Sequence, residues 1–258
     1  MTINNIKTTY LLKENSQEHK NFKLIFNALG ITSVFDFSYT KEETALLDKL
    51  KIDHSKICDI LERNKLQKTE LILLKATENY DGHAVKLKNK IVTFLDFKAY
   101  LYNLKQKKFD KYSHLLHEMI HGSHYSVNPD LEPTTLKYKD KLLAQALVEG
   151  TSVYISSKLN PSGDNYWFNF LDNADIRKWI RNCKKLYHQD LISLSHSNYT
   201  SEQKTNLLSL NSRSKKDLLC GRRAYYSVST FLNTLSLNIK DILLLTPESF
   251  KKLLNNNL

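Results

Sequence analysis

Apolar residues recur with a helical period over most of this chain and with strand-like compactness in one short region. Their spacing predicts helices over residues 18–29, 41–51 and 55–64. Gly30 suits the C-terminal stop of the first, and Thr40 followed by Glu43 is a capping-box signature for the second. From residue 69 the period changes. Glu70 to Ala76 is a compact apolar run, Asp81-Gly82 is a turn, and His83 to Leu87 is followed by Lys90 to Leu95 across a second turn at Lys88-Asn89. Together these segments predict a small sheet, with Ile91 to Leu95 as its exposed edge. Next comes a helical stretch whose buried face holds Tyr112, Leu115, Leu116, Met119 and Ile120, with Gly122 as its stop. After the polar segment Ser126 to Thr135, a long helix is expected from about Lys137 to Leu159, ended by Asn160-Pro161. Further helices are expected near 172–186, 200–209, 214–218, 222–236 and 247–256, the last opening on Pro247. The fold class predicted is α+β, mainly helical, with a small sheet preceding the central helix. An N-terminal helical lobe, 1–66, carries no obvious chemistry, and residues 67–258 are expected to form one compact region.

Inside that central helix lies His117-Glu118-Met119-Ile120-His121, a HExxH run. On a helix the two histidines stand one turn apart on one face, so both imidazoles can hold one metal ion while Glu118 faces its open position. A helix apolar on most sides and carrying His-Glu-His on the remainder is hard to explain as a solvated surface. A catalytic zinc needs three protein ligands and one position left for water. The best candidate for the third is Glu149, a carboxylate in an apolar helical stretch flanked by Leu143, Ala146, Leu147, Val148, Val153 and Ile155. A charge buried there requires a cation. Gly150, directly after it, removes a side chain where this helix would pack close to the HExxH helix. Asp130 and Glu132 are rival third ligands, ranked lower because they sit in a polar, Pro-containing stretch where a solvated carboxylate needs no explanation. His114 and His124 fall near the same face as the motif if the helix continues through Gly122, and are candidates either to face the substrate or to support the metal-site residues from behind, with a packed or surface place as the alternative.

Composition narrows the function classes. With 258 residues, 41% of them hydrophobic, the chain can bury a sizeable core, and six Gly and four Pro argue against a many-turned all-β architecture. Cys58, Cys183 and Cys220 are odd in number and form no CxxC pattern, so neither a disulfide scaffold nor a cysteine zinc site is expected. No stretch of 18 uncharged apolar residues and no apolar leader near the N-terminus appear, so the expectation is a cytoplasmic protein without a membrane span. The net charge of +11 is dispersed. Its two clusters, Lys105 to Lys111 and Arg177 to Lys185, lack any nucleic-acid module, so no nucleic-acid partner is expected.

With His117, Glu118, His121 and the Glu149-Gly150 pair in view, the chain resembles the gluzincin branch of zinc metallopeptidases, and more narrowly the predicted zinc-dependent protease families with a downstream Glu-Gly helix. Those families commonly have a Gly-Tyr-rich helix start, and Cys220-Gly221-Arg222-Arg223-Ala224-Tyr225-Tyr226 occupies the corresponding place. The resemblance covers residues 85 to 235 at most and implies a zincin-like core, one zinc ion and hydrolysis of an amide bond. Val153 stands where the thermolysin-like subgroup has an acidic residue. On this reading Glu118 is the general base, and Tyr225 or Tyr226 donates to the developing oxyanion, with His188 and His196 behind them. Arg222 and Arg223 are candidates to grip a substrate carboxylate. The substrate expected is a peptide. A small amide or biosynthetic intermediate is the second reading, and a non-catalytic basic interaction protein with an incidental HExxH the third.

Overall fold

A computed structural model of the chain describes residues 12–28, 32–76, 82–87, 90–106, 110–134, 137–160, 173–197, 199–208 and 222–258. It is mainly helical with one small sheet, as the periodicity predicts. The chain forms two compact units: Met1–Ser126 with Glu132–Thr134, and Val127–Leu131 with Thr135–Leu258. The helices expected in residues 1–66 belong to the larger body of the first unit and not to a lobe of their own.

In the first unit, α1 (Gln17–Ala28) and α2 (Lys41–Arg63) precede the strands β1 (Glu70–Leu74), β2 (Gly82–Leu87) and β3 (Lys90–Asp96). The capping box at Thr40 and Glu43 forms as predicted, but α2 runs unbroken through the expected gap at 52–54. No helix breaker interrupts it, and Leu50, His54 and Ile57 keep one buried face continuous.

The sheet order is β1-β3-β2, with β3 parallel to β1 and antiparallel to β2. Ile91 to Leu95 is therefore the central strand, not the edge. Both of its sides are already paired, which leaves β2 and β1 as the outer strands. The cause is the tight β2–β3 connection, which sets β3 beside β2 and leaves its other side to β1. Alternation then assigns the two faces. Ile72, Leu74, Val85, Val92 and Phe94 join Phe22 and Phe26 of α1 in one core, where Phe94 meets the two rings edge-on at 5.2 and 5.3 Å. Thr93 belongs to the opposite face.

That face receives α4 (Lys111–Val127), reached through α3 (Phe97–Gln106). Thr93 Oγ1 lies 3.5 Å from the Glu118 carbonyl oxygen, and the Thr69 and Thr93 hydroxyls meet at 2.8 Å. Farther along, Ser123 donates to the Gln67 carbonyl at 2.6 Å. Gly122 is not a stop. The helix continues to Val127, and the glycine serves close approach: a Cβ there would stand 2.3 Å from Thr69 Cγ2. Every residue of α4 from Ser113 to Tyr125 is buried.

The second unit is all-helical among its described residues: α5 (Lys141–Leu159), α6 (Asn173–His196), α7 (Ser201–Leu208), α8 (Arg223–Thr234), α9 (Ile239–Leu243) and α10 (Pro247–Asn257). Asp140 caps α5 by accepting from the Leu143 N–H at 2.9 Å, and Thr246 caps α10 with Pro247 in its first turn. The core joins Leu143, Ala146 and Leu147 of α5 to Val228, Phe231 and Leu232 of α8, with Leu191 and Leu194 of α6 and Phe250 of α10 around them. Gly150 packs close to α8: a Cβ there would stand 2.4 Å from Val228 Cβ. The helix expected at 214–218 lies outside the described residues.

Candidate metal centre

Two turns of α4 build the centre. The i, i+4 spacing of His117 and His121 brings their Nε2 atoms to 2.9 Å, with the rings perpendicular at 88° and their centroids 4.5 Å apart. Glu118 joins them: one ligand atom from each of the three lies within 4.8 Å of the others, and all three residues are buried. Among the described residues this is the only such group of three.

The donor set is one that could hold a metal ion. Two imidazole nitrogens bound at about 2.0–2.1 Å to a tetrahedral centre stand roughly 3.3 Å apart. Opening the observed 2.9 Å to that value takes only a small rotation of the rings. At 2.9 Å an Nε2–H on one ring can donate to a bare Nε2 on the other, and a cation between the rings would instead take a lone pair from each.

Around this pair the helix supplies three more groups. His114, one turn before Glu118, places its Nε2 3.7 Å from Glu118 Oε1, while its Nδ1 meets the Tyr100 hydroxyl at 2.7 Å. Tyr125 stacks on His121 with 12° between the planes. His124 is wholly enclosed, and neither ring nitrogen has a hydrogen-bond partner among the described residues. Burial, with His121 nearby, pushes its pKa down to about 3, so it is a neutral ring inside the fold. Of the roles the sequence leaves open for these two histidines, His114 has a tyrosine and a carboxylate as neighbours, and His124 is closed off.

The rival carboxylates have other work. Asp130 is partly exposed and pairs with Lys137 at 2.7 Å. Glu132 is buried, accepts from the Thr134 N–H at 3.1 Å and from the Thr134 hydroxyl, and lies 3.4 Å from the Lys86 N–H on β2.

Gly82, the first residue of β2, lies directly beside the centre: a Cβ there would stand 3.1 Å from Glu118 Cγ. The outer strand that runs past the acid is thus β2. The Lys86 N–H faces Glu132, away from β3, and alternation along an antiparallel pair turns the backbone groups of Ala84 and Gly82 to that same outer side.

The remaining predicted residues belong to the second unit. Glu149 is partly buried on α5. Arg222 is the N-cap of α8 in the left-handed region, φ 57°, and its guanidinium lies 5.2 Å from the Tyr225 ring centroid. Arg223 is buried against Asp190: Nη2 donates to Oδ1 at 2.7 Å and Nε to Oδ2 at 2.9 Å, with the Ser227 hydroxyl 3.4 Å from Oδ2. Tyr225 packs with Val153, Ile176, Trp179 and Cys183, and Tyr226 meets Trp179 edge-on at 6.0 Å. His188 and His196 are exposed on α6. Cys220 and Gly221 lie outside the described residues.

Tyr100 is the residue that sequence reasoning missed, because α3 was not foreseen. A signal existed: Phe97, Tyr100, Leu101 and Leu104 follow the i, i+3, i+4, i+7 spacing of a helical face directly after β3.

Comparison with known protein families, with curated proteins and with solved structures gave no match. Among the described residues no helix is long and apolar enough to cross a membrane.

Proposed function

We propose that this chain is a zinc-dependent hydrolase with a zincin-like core that cleaves peptide bonds. The observation that carries the reading is the convergence of the His117 and His121 Nε2 atoms at 2.9 Å beside the Glu118 carboxylate. His117 and His121 are the ligands from α4. Glu149 is assigned as the third on the sequence argument alone, a carboxylate within an apolar helical run.

A bound zinc ion supplies a lowered pKa to water and polarises the scissile carbonyl. The protein's own part is proton handling and alignment. Glu118 accepts the proton of the attacking water and returns it to the leaving amine, a transfer worth about 10²- to 10⁴-fold in rate. Burial strips competing solvent from the carboxylate, which strengthens its interaction with the proton it takes.

A peptide is favoured over a compact amide by the position of β2. An extended chain added to its outer side pairs with backbone groups alone, which aligns a scissile bond without requiring particular side chains. Gly82 keeps a side chain out of the space beside Glu118, where a Cβ would stand 2.7 Å from Leu95 Cδ2 and 3.1 Å from Glu118 Cγ.

Metal analysis of the purified protein tests the centre: near-stoichiometric zinc, lost in His117→Ala, is expected. Cleavage of a mixed peptide library tests the reaction, and cuts that vanish in Glu118→Gln are expected. Zinc binding without any Glu118-dependent cut shifts the reading to a small amide substrate, and absence of zinc leaves a non-catalytic protein. Glu149→Gln with unchanged zinc affinity and activity removes Glu149 from the ligand set.

A further inference from the structure

We infer that His114 is a positioning residue for Glu118, its Nε2–H directed at the carboxylate and held in that tautomer by the buried hydroxyl of Tyr100. The inference rests on Glu118 being the proton acceptor of the proposed hydrolase.

Tyr100 on α3 is fully buried and His114 nearly so. Their rings meet edge-on at 74° with centroids 5.3 Å apart, and the hydroxyl lies 2.7 Å from Nδ1. In the neutral ring, one of two arrangements satisfies that contact. Either the Tyr100 O–H donates to a bare Nδ1, which puts the ring proton on Nε2, or Nδ1–H donates to the phenol oxygen, which leaves Nε2 bare in the neutral ring. The far side of the ring decides. His114 Nε2 lies 3.7 Å from Glu118 Oε1. A bare nitrogen there sets lone pair against carboxylate, whereas Nε2–H sets a donor against it. The first arrangement therefore wins.

At 3.7 Å the Nε2–Oε1 pair is beyond a formed hydrogen bond. Catalytic hydrogen bonds in substrate-free structures are often long and tighten when the reacting complex forms. Both residues stand on one helix, one turn apart, so closing the gap requires side-chain rotation and no movement of backbone. Once closed, the contact fixes the plane of the Glu118 carboxylate by one oxygen during proton acceptance and return. Tyr100 reaches the reaction only through this chain of two contacts.

Nitrogen-15 NMR of the imidazole rings tests the inference with no substrate present, on metal-free and zinc-loaded protein, with His114→Gln assigning the signal. A proton on His114 Nε2, and an Nε2 signal that moves in Glu118→Gln, are expected; an Nε2 without a proton, or one indifferent to Glu118→Gln, overturns the inference. In the peptide-library assay, His114→Ala is expected to lower kcat about 10- to 100-fold with KM and zinc content unchanged. His114→Gln, whose amide N–H replaces Nε2–H, is expected to restore most of that loss. Equal losses in the Ala and Gln variants reduce His114 to a packing role. A wild-type protein that binds no zinc and cuts no peptide sinks the hydrolase reading itself, whereas a bare Nε2 in a zinc-binding, peptide-cutting protein sinks this inference alone.

Discussion

Each unit buries polar side chains on a helix, and the two do so in opposite ways. In the second unit, Arg223 of α8 and Asp190 of α6 satisfy one another through a bidentate guanidinium–carboxylate pair, with Ser227 alongside. Charge, geometry and donor count balance within the protein. In the first unit, α4 turns two imidazole nitrogens toward each other at 2.9 Å and adds a carboxylate to the same small volume. Three groups whose ligand atoms could share one metal ion converge there, whereas the guanidinium and carboxylate of the second unit pair with each other. Burial of polar groups alone does not mark a candidate site; the kind of donors brought together does.

The sharpest way to break this contrast is to remove one member of each set. His117→Ala is expected to take zinc from about one ion per chain to almost none, measured by metal analysis, because two remaining ligands hold the ion poorly. Arg223→Met should leave zinc content unchanged. Next in size, Glu118→Gln is expected to keep zinc while turnover on peptides falls about 10²- to 10⁴-fold. A variant that loses zinc and activity together would instead make Glu118 a ligand.

Arg223→Met is expected to destabilise the fold by about 3–5 kcal/mol in chemical denaturation, since it strands the buried Asp190 carboxylate. Adding Asp190→Leu should recover most of that loss, because replacing both members removes the stranded charge. No double replacement of His117 and His121 would recover zinc binding.

The smallest effects belong to the two close helix approaches. Gly122→Ala drives a methyl to 2.3 Å from Thr69 Cγ2, and Gly150→Ala drives one to 2.4 Å from Val228 Cβ. Each is expected to cost about 1–3 kcal/mol in thermal or chemical unfolding. Thr69→Ser deletes the obstructing methyl and should relieve Gly122→Ala while leaving Gly150→Ala untouched. If Gly122→Ala also weakens zinc binding, the seat of α4 on the sheet governs the centre as well as the fold.

Much of this molecule was legible in one dimension. Helix positions followed from the apolar period, since an amphipathic face is set by residues three and four apart. Thr40 with Glu43, Asn160 and Pro247 marked their ends through local hydrogen-bonding rules. The His117–Glu118–His121 cluster was legible for the same reason: its members share one helix, and helical geometry alone brings them together.

What the linear pattern misassigned were relations between distant segments. The run Ile91 to Leu95 has the same composition at an edge as in the middle of a sheet, and only its pairing with both β1 and β2 makes it central. Gly122 looked like a stop, but it lies within α4 and serves close approach to Thr69, far away in sequence; Gly150 likewise serves close approach to Val228. Arg223 looked available until Asp190, 33 residues before it, was seen to hold it. The sequence by itself determined most of the helices, several of their caps and the His114, His117, Glu118 and His121 spacing on one helix, because those depend on contacts within a few residues. Strand order, the close approaches of the glycines and the Tyr100–His114 contact were decided by tertiary structure alone, because they depend on packing partners that no local period encodes.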